Sequence, residues 1–349
     1  MRAVVYPDHG VLPEVAEVPP PRCPDDGVVV AVRATGVCRS DWHAWKGHDP
    51  VPLPHVPGHE LAGVVAEVGP DVRRWSVGDR VTVPFVCGCG QCAWCAAGEA
   101  QVCPRQTQPG FTGPGSFAEL VALHAADLNL VRLPDAVDFV TAASLGCRFA
   151  TAFRALTAHG SVEPGSWLAV HGCGGVGLSA VMVGAALGAR VVAVDVSPAA
   201  LGRAREVGAE VLLDARDPGA GTDVAERVRD VTGGGAHVSL DALGSPATAV
   251  ASVMSLRRRG RHVQVGLLLG EASTPPLPMD RVVAQELEVY GSHGMAAHEY
   301  PAMLALIEDG TLRPELLVGE VIDLEAAGAA LAAMDRPRAG SGMTVVSLP

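Results

Sequence analysis

The feature that most constrains this chain is a glycine turn, Gly172-Cys173-Gly174-Gly175-Val176-Gly177, set between a strand pattern and a helix pattern. Trp167 to Val170 reads as a strand before it, and Val176 to Leu187 as an apolar helix after it. The alternation then continues. Strands are predicted at Val191 to Asp195, Glu210 to Asp214, His237 to Asp241 and Arg261 to Leu267. Helices are predicted at Pro198 to Val207, Thr222 to Thr232 and Ala247 to Leu256. Continuously apolar strands separated by helices point to a doubly wound parallel sheet covered on both faces, an α/β fold. Glycines in this setting permit a tight turn, close backbone approach to a pyrophosphate, and close helix–sheet packing. The exposed N–H groups and dipole of the helix N-terminus favour an anion. Asp195 ends the next strand, 18 residues after Gly177, where a carboxylate can accept hydrogen bonds from an adenosine ribose. Val196 to Ala200 contains no Arg or Lys to balance a 2′-phosphate, so the turn reads as a site for NAD rather than NADP. A glycine turn without any ligand is the plain alternative.

The remainder of the chain has a different rhythm. Val28 to Val32, Gly63 to Val68, Arg80 to Pro84 and Phe117 to Leu123 are short strand-like runs punctuated by Gly, Pro and Asp. After the proline-rich turn Ser273 to Pro278, the tail offers a strand at Leu287 to Tyr290. Helices follow at Tyr300 to Glu308 and Leu324 to Met334, and a last strand at Thr344 to Leu348. With 349 residues the chain has room for two domains. Its net charge of −12 would repel phosphate backbones, which disfavours nucleic acid as a partner. Pro164 to Ala189 carries no charged residue and is long enough to span a bilayer. Its seven glycines fit a buried strand, turn and helix better, so no membrane partner is expected. Pro7 interrupts any signal-type apolar core, and a cytoplasmic location is expected.

Nine cysteines, an odd number, fall at 23, 38, 87, 89, 92, 95, 103, 147 and 173. That count in a chain without a secretory signal argues against a disulfide framework. Cys89, Cys92, Cys95 and Cys103 are spaced C-x2-C-x2-C-x7-C. Four thiolates so placed can close a tetrahedral zinc site with no position left for chemistry, a structural role. An iron centre is the rival reading, although the spacing matches ferredoxin patterns poorly. Cys23, Cys87 and Cys173 have no assigned role.

Three further segments give the pattern a family. Gly36-Val37-Cys38-Arg39-Ser40-Asp41-Trp42-His43, Gly58-His59-Glu60-Leu61-Ala62-Gly63 and Ser144-Leu145-Gly146-Cys147 precede the glycine turn in that order. With the cysteine run, they make the chain resemble the zinc-containing medium-chain alcohol dehydrogenases over essentially its whole length. The resemblance implies a Rossmann cofactor domain inserted into a β-rich GroES-like catalytic domain. Residues 1–147 would form the catalytic domain with both zinc sites, 148–292 the NAD-binding domain, and 293–349 a return to the first.

Carried onto this sequence, the resemblance implies Cys38, His59 and Cys147 as ligands of a second, catalytic zinc, making two Zn²⁺ per chain. Two thiolates and one imidazole leave a fourth position, and zinc there acts as a Lewis acid on the substrate oxygen. Ser40 and His43 would relay the alcohol proton, and Asp41 would orient His59. Glu60 would be the nearby acidic group, Arg39 would pair with the cofactor pyrophosphate, and Val176 would pack on the nicotinamide. Gly172, Gly174, Gly175, Gly177 and Asp195 complete the cofactor set. Phe85 and Trp45 are candidates for the substrate pocket, with core packing the alternative for each. Relatives often place a lysine where this chain has Ala200 and a basic residue near Gly342 to Val345. The implied activity interconverts primary or secondary alcohols with aldehydes or ketones. A polyol, amino-alcohol or biosynthetic-intermediate dehydrogenase is the nearest alternative, and a zinc-bearing binding protein without turnover the more distant one. A small-molecule substrate and a homo-oligomer, tetramer before dimer, are implied as partners.

Overall fold

The structure, a computed structural model, describes residues 1–217, 223–336 and 342–349. Its main elements are two sheets. The parallel sheet has six strands in the spatial order Val211–Asp214, Arg190–Asp195, Trp167–His171, Ala236–Asp241, Leu256–Gln264, Glu288–Gly291. In chain order that is 3-2-1-4-5-6, a Rossmann arrangement, whose order reverses beside the strand that feeds the glycine turn. Trp167–His171 lies at the centre and all five of its residues are buried. Helix Gly175–Ala186 follows, buried along Gly177 to Gly184. This explains the long uncharged stretch without a membrane. Among the described residues no helix is long and apolar enough to cross one.

The second sheet has seven strands. Val28–Val37 sits in its middle and pairs antiparallel with Glu60–Val68, Leu120–Leu123 and Met343–Ser347. The C-terminal strand therefore returns to the N-terminal sheet, and Val318–Ile322 extends the edge parallel to it. A GroES-like sheet that takes its last strands from the far side of a Rossmann unit is what an inserted domain requires.

Element boundaries depart from the sequence reading where charge or proline intervenes. The strand expected at Arg261 to Leu267 instead runs Leu256–Gln264. Its first half, Arg257 to Arg259, is exposed, so the apolar pattern begins only in the buried half. The helix expected to reach Leu256 ends at Met254, because Leu256 already belongs to that strand. The short strand at Arg80–Thr82 stops ahead of Pro84. Thr222, placed at a helix start, lies outside the described residues; the helix that follows runs Val224–Val231. The N-terminal hairpin Arg2–Val5 with Glu14–Glu17 was not anticipated.

Candidate active site

Local structure explains how Cys38, His59 and Cys147 meet. Cys38 follows the central strand and is the N-cap of helix Arg39–Trp45. His59 precedes strand Glu60–Val68, and the register pairs Gly36 with Glu60. The two ligand-type residues thus emerge side by side from neighbouring strand ends. Cys147 arrives from the widened helical turn Leu145–Phe149. The candidate ligand atoms of Cys38, His59, Glu60 and Cys147 all lie within 4.8 Å of one another.

The supporting groups fix the imidazole. Asp41, fully buried, takes the His59 Nδ1 contact at 2.9 Å and accepts from the Gly58 N–H at 2.9 Å through the same oxygen. Its other oxygen accepts from the Cys38 N–H at 3.2 Å. His59 Nε2 is buried and, among the described residues, has no hydrogen-bond partner. A buried polar atom without a partner is costly unless something fills the role. Here the missing partner fits a metal ion: the atom faces two sulfurs, a donor set suited to zinc.

The same charges shape the protonation of the cluster. The Cys147 contact, opposed by burial and aided by His59 and Arg148, holds the Cys38 thiol well below its ordinary range. Burial would lower the His59 imidazole, but Asp41 and Cys38 outweigh it and raise its pKa. Burial raises the Glu60 carboxyl, against the pull of Arg148. Arg148 binds Glu60 by Nε at 2.9 Å, by its backbone N–H at 3.1 Å and by Nη2. Arg148 is a residue that spacing alone had not singled out; an arginine directly after a candidate ligand was the available signal.

Other expected site residues are placed as follows. Ser40 and His43 lie half-buried on helix Arg39–Trp45, and His43 Nδ1 is 3.1 Å from His48 Nδ1. Phe85 meets His59 edge-on at 6.1 Å, and Phe111, not anticipated, does so at 5.1 Å. Trp45 is not among them. It is buried in the core of the seven-stranded sheet and donates its indole N–H to Val11 O, so it acts as a packing residue. Arg39 is engaged with Met334 O at 2.8 Å and stacks over Trp42. A cavity of about 500 Å³ opens between Trp94 and Gln101 on one wall and Gly266, Gly291 and His293 on the other. His293 packs edge-on against Phe85, which links that cavity to the ring beside His59.

The four-cysteine loop forms the second cluster. The sulfurs of Cys89, Cys92, Cys95 and Cys103 also lie within 4.8 Å of one another. Backbone N–H groups of Cys89, Arg105 and Cys95 donate to Cys103 Sγ at 3.4 Å, Cys103 Sγ at 3.3 Å and Cys92 Sγ at 3.5 Å. A hydrogen bond from the backbone at Gln91 helps lower the Cys89 thiol to about 6. Sulfurs gathered and hydrogen-bonded in this way fit a closed thiolate–metal site. Cys87 lies apart, donating to Pro84 O, and burial pushes its thiol up to about 12.

At the glycine turn the four glycines have separate reasons. Gly172 has φ +94°. A Cβ on Gly177 would collide with Gly172 O, so closeness of helix and strand demands glycine there. A Cβ on Gly174 would meet open space, and one on Gly175 would strike the Arg148 side chain. Asp195 braces the turn: its Oδ2 accepts from the Cys173 N–H at 2.6 Å and its Oδ1 from the Ser197 N–H at 2.8 Å. Val176 is half-buried against the sheet's main apolar cluster.

Comparison with known proteins bears on the family and the fold. Residues 24–135 match the alcohol dehydrogenase GroES-like domain, and residues 175–309 match the zinc-binding dehydrogenase domain. An alcohol dehydrogenase of Geobacillus stearothermophilus is 36% identical over 295 residues, 84% of each chain. The solved alcohol dehydrogenase TADH from Thermus sp. ATN1 superposes with a TM-score of 0.91 at 31% identity, covering 100% of both chains. A solved NAD-dependent alcohol dehydrogenase gives a TM-score of 0.89 at 32% identity, again over 100% of both.

Proposed function

Since the chain belongs to the zinc-containing medium-chain alcohol dehydrogenase family, we propose that Cys38, His59 and Cys147 hold its catalytic zinc and that NAD is its cofactor. The protein is a zinc-type alcohol dehydrogenase, an oxidoreductase acting on small molecules. The observation that carries the site assignment is the buried, unpartnered His59 Nε2 facing the sulfurs of Cys38 and Cys147. Zinc bound there supplies Lewis acidity toward an alcohol or carbonyl oxygen, and NAD supplies the hydride acceptor.

The chain's own residues do the rest. Asp41 fixes the ring orientation of His59 and keeps Nε2 aimed at the sulfurs. Arg148 restrains the Glu60 carboxylate, so that a protein oxygen does not occupy the position a substrate needs. Ser40 passes the departing proton on: its hydroxyl oxygen accepts that proton as its own O–H proton leaves in the direction of His43. His43, with His48 beside it, takes that proton toward solvent. Phe85, packed edge-on between His59 and His293, is the apolar surface on that side of the cluster and limits water there. Asp195 leaves lone pairs for the ribose after bracing the turn, and a carboxylate there supports NAD over NADP.

In this reading residues 1–147 with 293–349 form the catalytic domain, and 148–292 the cofactor domain. The four-cysteine loop carries a second, structural zinc. The enzyme works in the cytoplasm as a homo-oligomer, a tetramer by family habit. The test is metal analysis of the purified protein beside an alcohol and carbonyl panel read at the NADH absorbance band. Two zincs per chain and a clear NAD preference are expected; a single zinc, or equal rates with NADP, would contradict the assignment.

A further inference from the structure

The glycine turn and the metal cluster share one side chain that neither role explains by itself. Arg148 is 8% exposed, and its Nε and Nη2 are spent on Glu60. Its Nη1 makes no hydrogen bond among the described residues. The fold has been cleared of side chains around it: a Cβ on Gly36 would run into Glu60 and the Arg148 guanidinium, and one on Gly175 into the Arg148 stem. Gly175 is also the first residue of helix Gly175–Ala186, whose first turn holds no acidic residue.

A guanidinium against the positive end of a helix dipole is electrostatically adverse unless an anion arrives to share both. Glu60 pairs with the guanidinium and Asp195 takes the Cys173 N–H of the turn, but the first turn of the helix itself holds no acidic residue. We propose that Arg148 is a phosphate-binding residue of the dinucleotide site, donating through Nη1. Through its ion pair with Glu60 it also ties cofactor binding to the metal cluster. The ligand class is a pyrophosphate-bearing nucleotide. A phosphate at Nη1 leaves Nε and Nη2 on Glu60, so the carboxylate beside His59 stays restrained while the cofactor is bound. Arg148 is thus a cofactor-binding residue on one side and a positioning residue on the other. The inference rests on the dinucleotide reading of the glycine turn.

Calorimetric titration of the zinc-loaded protein with ADP-ribose and with adenosine tests it, alongside zinc content for each variant. Arg148→Gln should weaken ADP-ribose by about tenfold or more, the size of a lost charge-assisted hydrogen bond, and leave adenosine unchanged. Because that variant strands a buried carboxylate, the double variant Glu60→Gln with Arg148→Gln carries the decisive arm. It should bind ADP-ribose as poorly as the single variant. Glu60→Gln alone frees the arginine and should tighten ADP-ribose. Wild-type affinity in the double variant would show that Arg148 acts only on Glu60, and equal losses for adenosine would show general damage; either overturns the proposal. Failure of the wild-type protein to bind ADP-ribose would instead sink the dinucleotide reading itself, and this inference with it.

Discussion

The two sulfur clusters are built in opposite ways. Cys89, Cys92, Cys95 and Cys103 come from one loop of 15 residues, and their neighbours are backbone N–H groups. Cys38, His59 and Cys147 come from three separated segments, and their neighbours are charged, buried side chains: Asp41, Glu60 and Arg148. The first arrangement closes on itself. The second leaves one imidazole nitrogen unpartnered and adds a carboxylate held off by an arginine. A closed set of four thiolates stabilises a loop that has little core of its own, while a three-ligand set braced from outside keeps a position for chemistry.

The sharpest way to break that contrast is Cys147→Ala. Turnover should fall to background, because two protein ligands no longer define the catalytic metal. The four-cysteine loop should keep its zinc. One zinc per chain with no activity is therefore expected from metal analysis and assay together; retained turnover would remove Cys147 from the site. Cys103→Ser should produce the converse. Cys103 is fully buried and receives two backbone hydrogen bonds, so its loss undoes the loop's metal, and metal affinity of this kind is folding free energy. A lower melting temperature and loss of the loop zinc are expected, with catalytic zinc still bound. Unchanged thermal stability would mean that the loop holds without metal.

The contrast also explains what could be read from the sequence. The four-cysteine cluster is local, so spacing alone displays it. So does the glycine turn, because strand, turn and helix are contiguous from Trp167 to Ala186. The three-segment cluster is long-range: the register that sets Gly36 against Glu60 is invisible in spacing, and only resemblance to relatives connected Cys38 with His59 and Cys147. Arg148 and Phe111 were missed for the same reason, since their partners lie 88 and 52 positions away, at Glu60 and His59. Trp45 falls on the other of its two readings, core packing. Closeness in sequence to site residues suggested a pocket role, but helical geometry turns its ring toward the core. The exposed arginines of Leu256–Gln264 hid half a strand, because periodicity detects apolar faces and not hydrogen bonding.

Asp41→Asn refines the comparison within the braced cluster. The amide can still accept from the Gly58 N–H, but it loses the charge that raises the His59 imidazole and fixes its ring. Losses of about 10- to 100-fold in catalytic-zinc affinity or activity are expected from such outer partners, with the four-cysteine zinc untouched. Metal competition with a chelator of known affinity would check it, and identical chelator curves for both sites would contradict the brace.

The smallest expected effect concerns the proton route proposed for the braced cluster. Burial, then the neighbouring His48 and Arg39, lower the His43 pKa from its ordinary 6.5. A lowered pKa means that the neutral ring, the form able to accept a proton, persists to more acid pH. Alcohol oxidation should therefore keep its rate below the usual histidine range before the acid limb begins. Removing His48 takes away one lowering influence, so the His43 pKa rises. His48→Ala should shift the acid limb of kcat upward by a fraction of a pH unit. If His48 also passes the proton onward, the plateau above that limb should fall in parallel, and a high concentration of imidazole buffer should restore it. A pH–rate profile that does not move, with a plateau unchanged in any buffer, would leave His43 releasing its proton directly to water and His48 as a neighbour only.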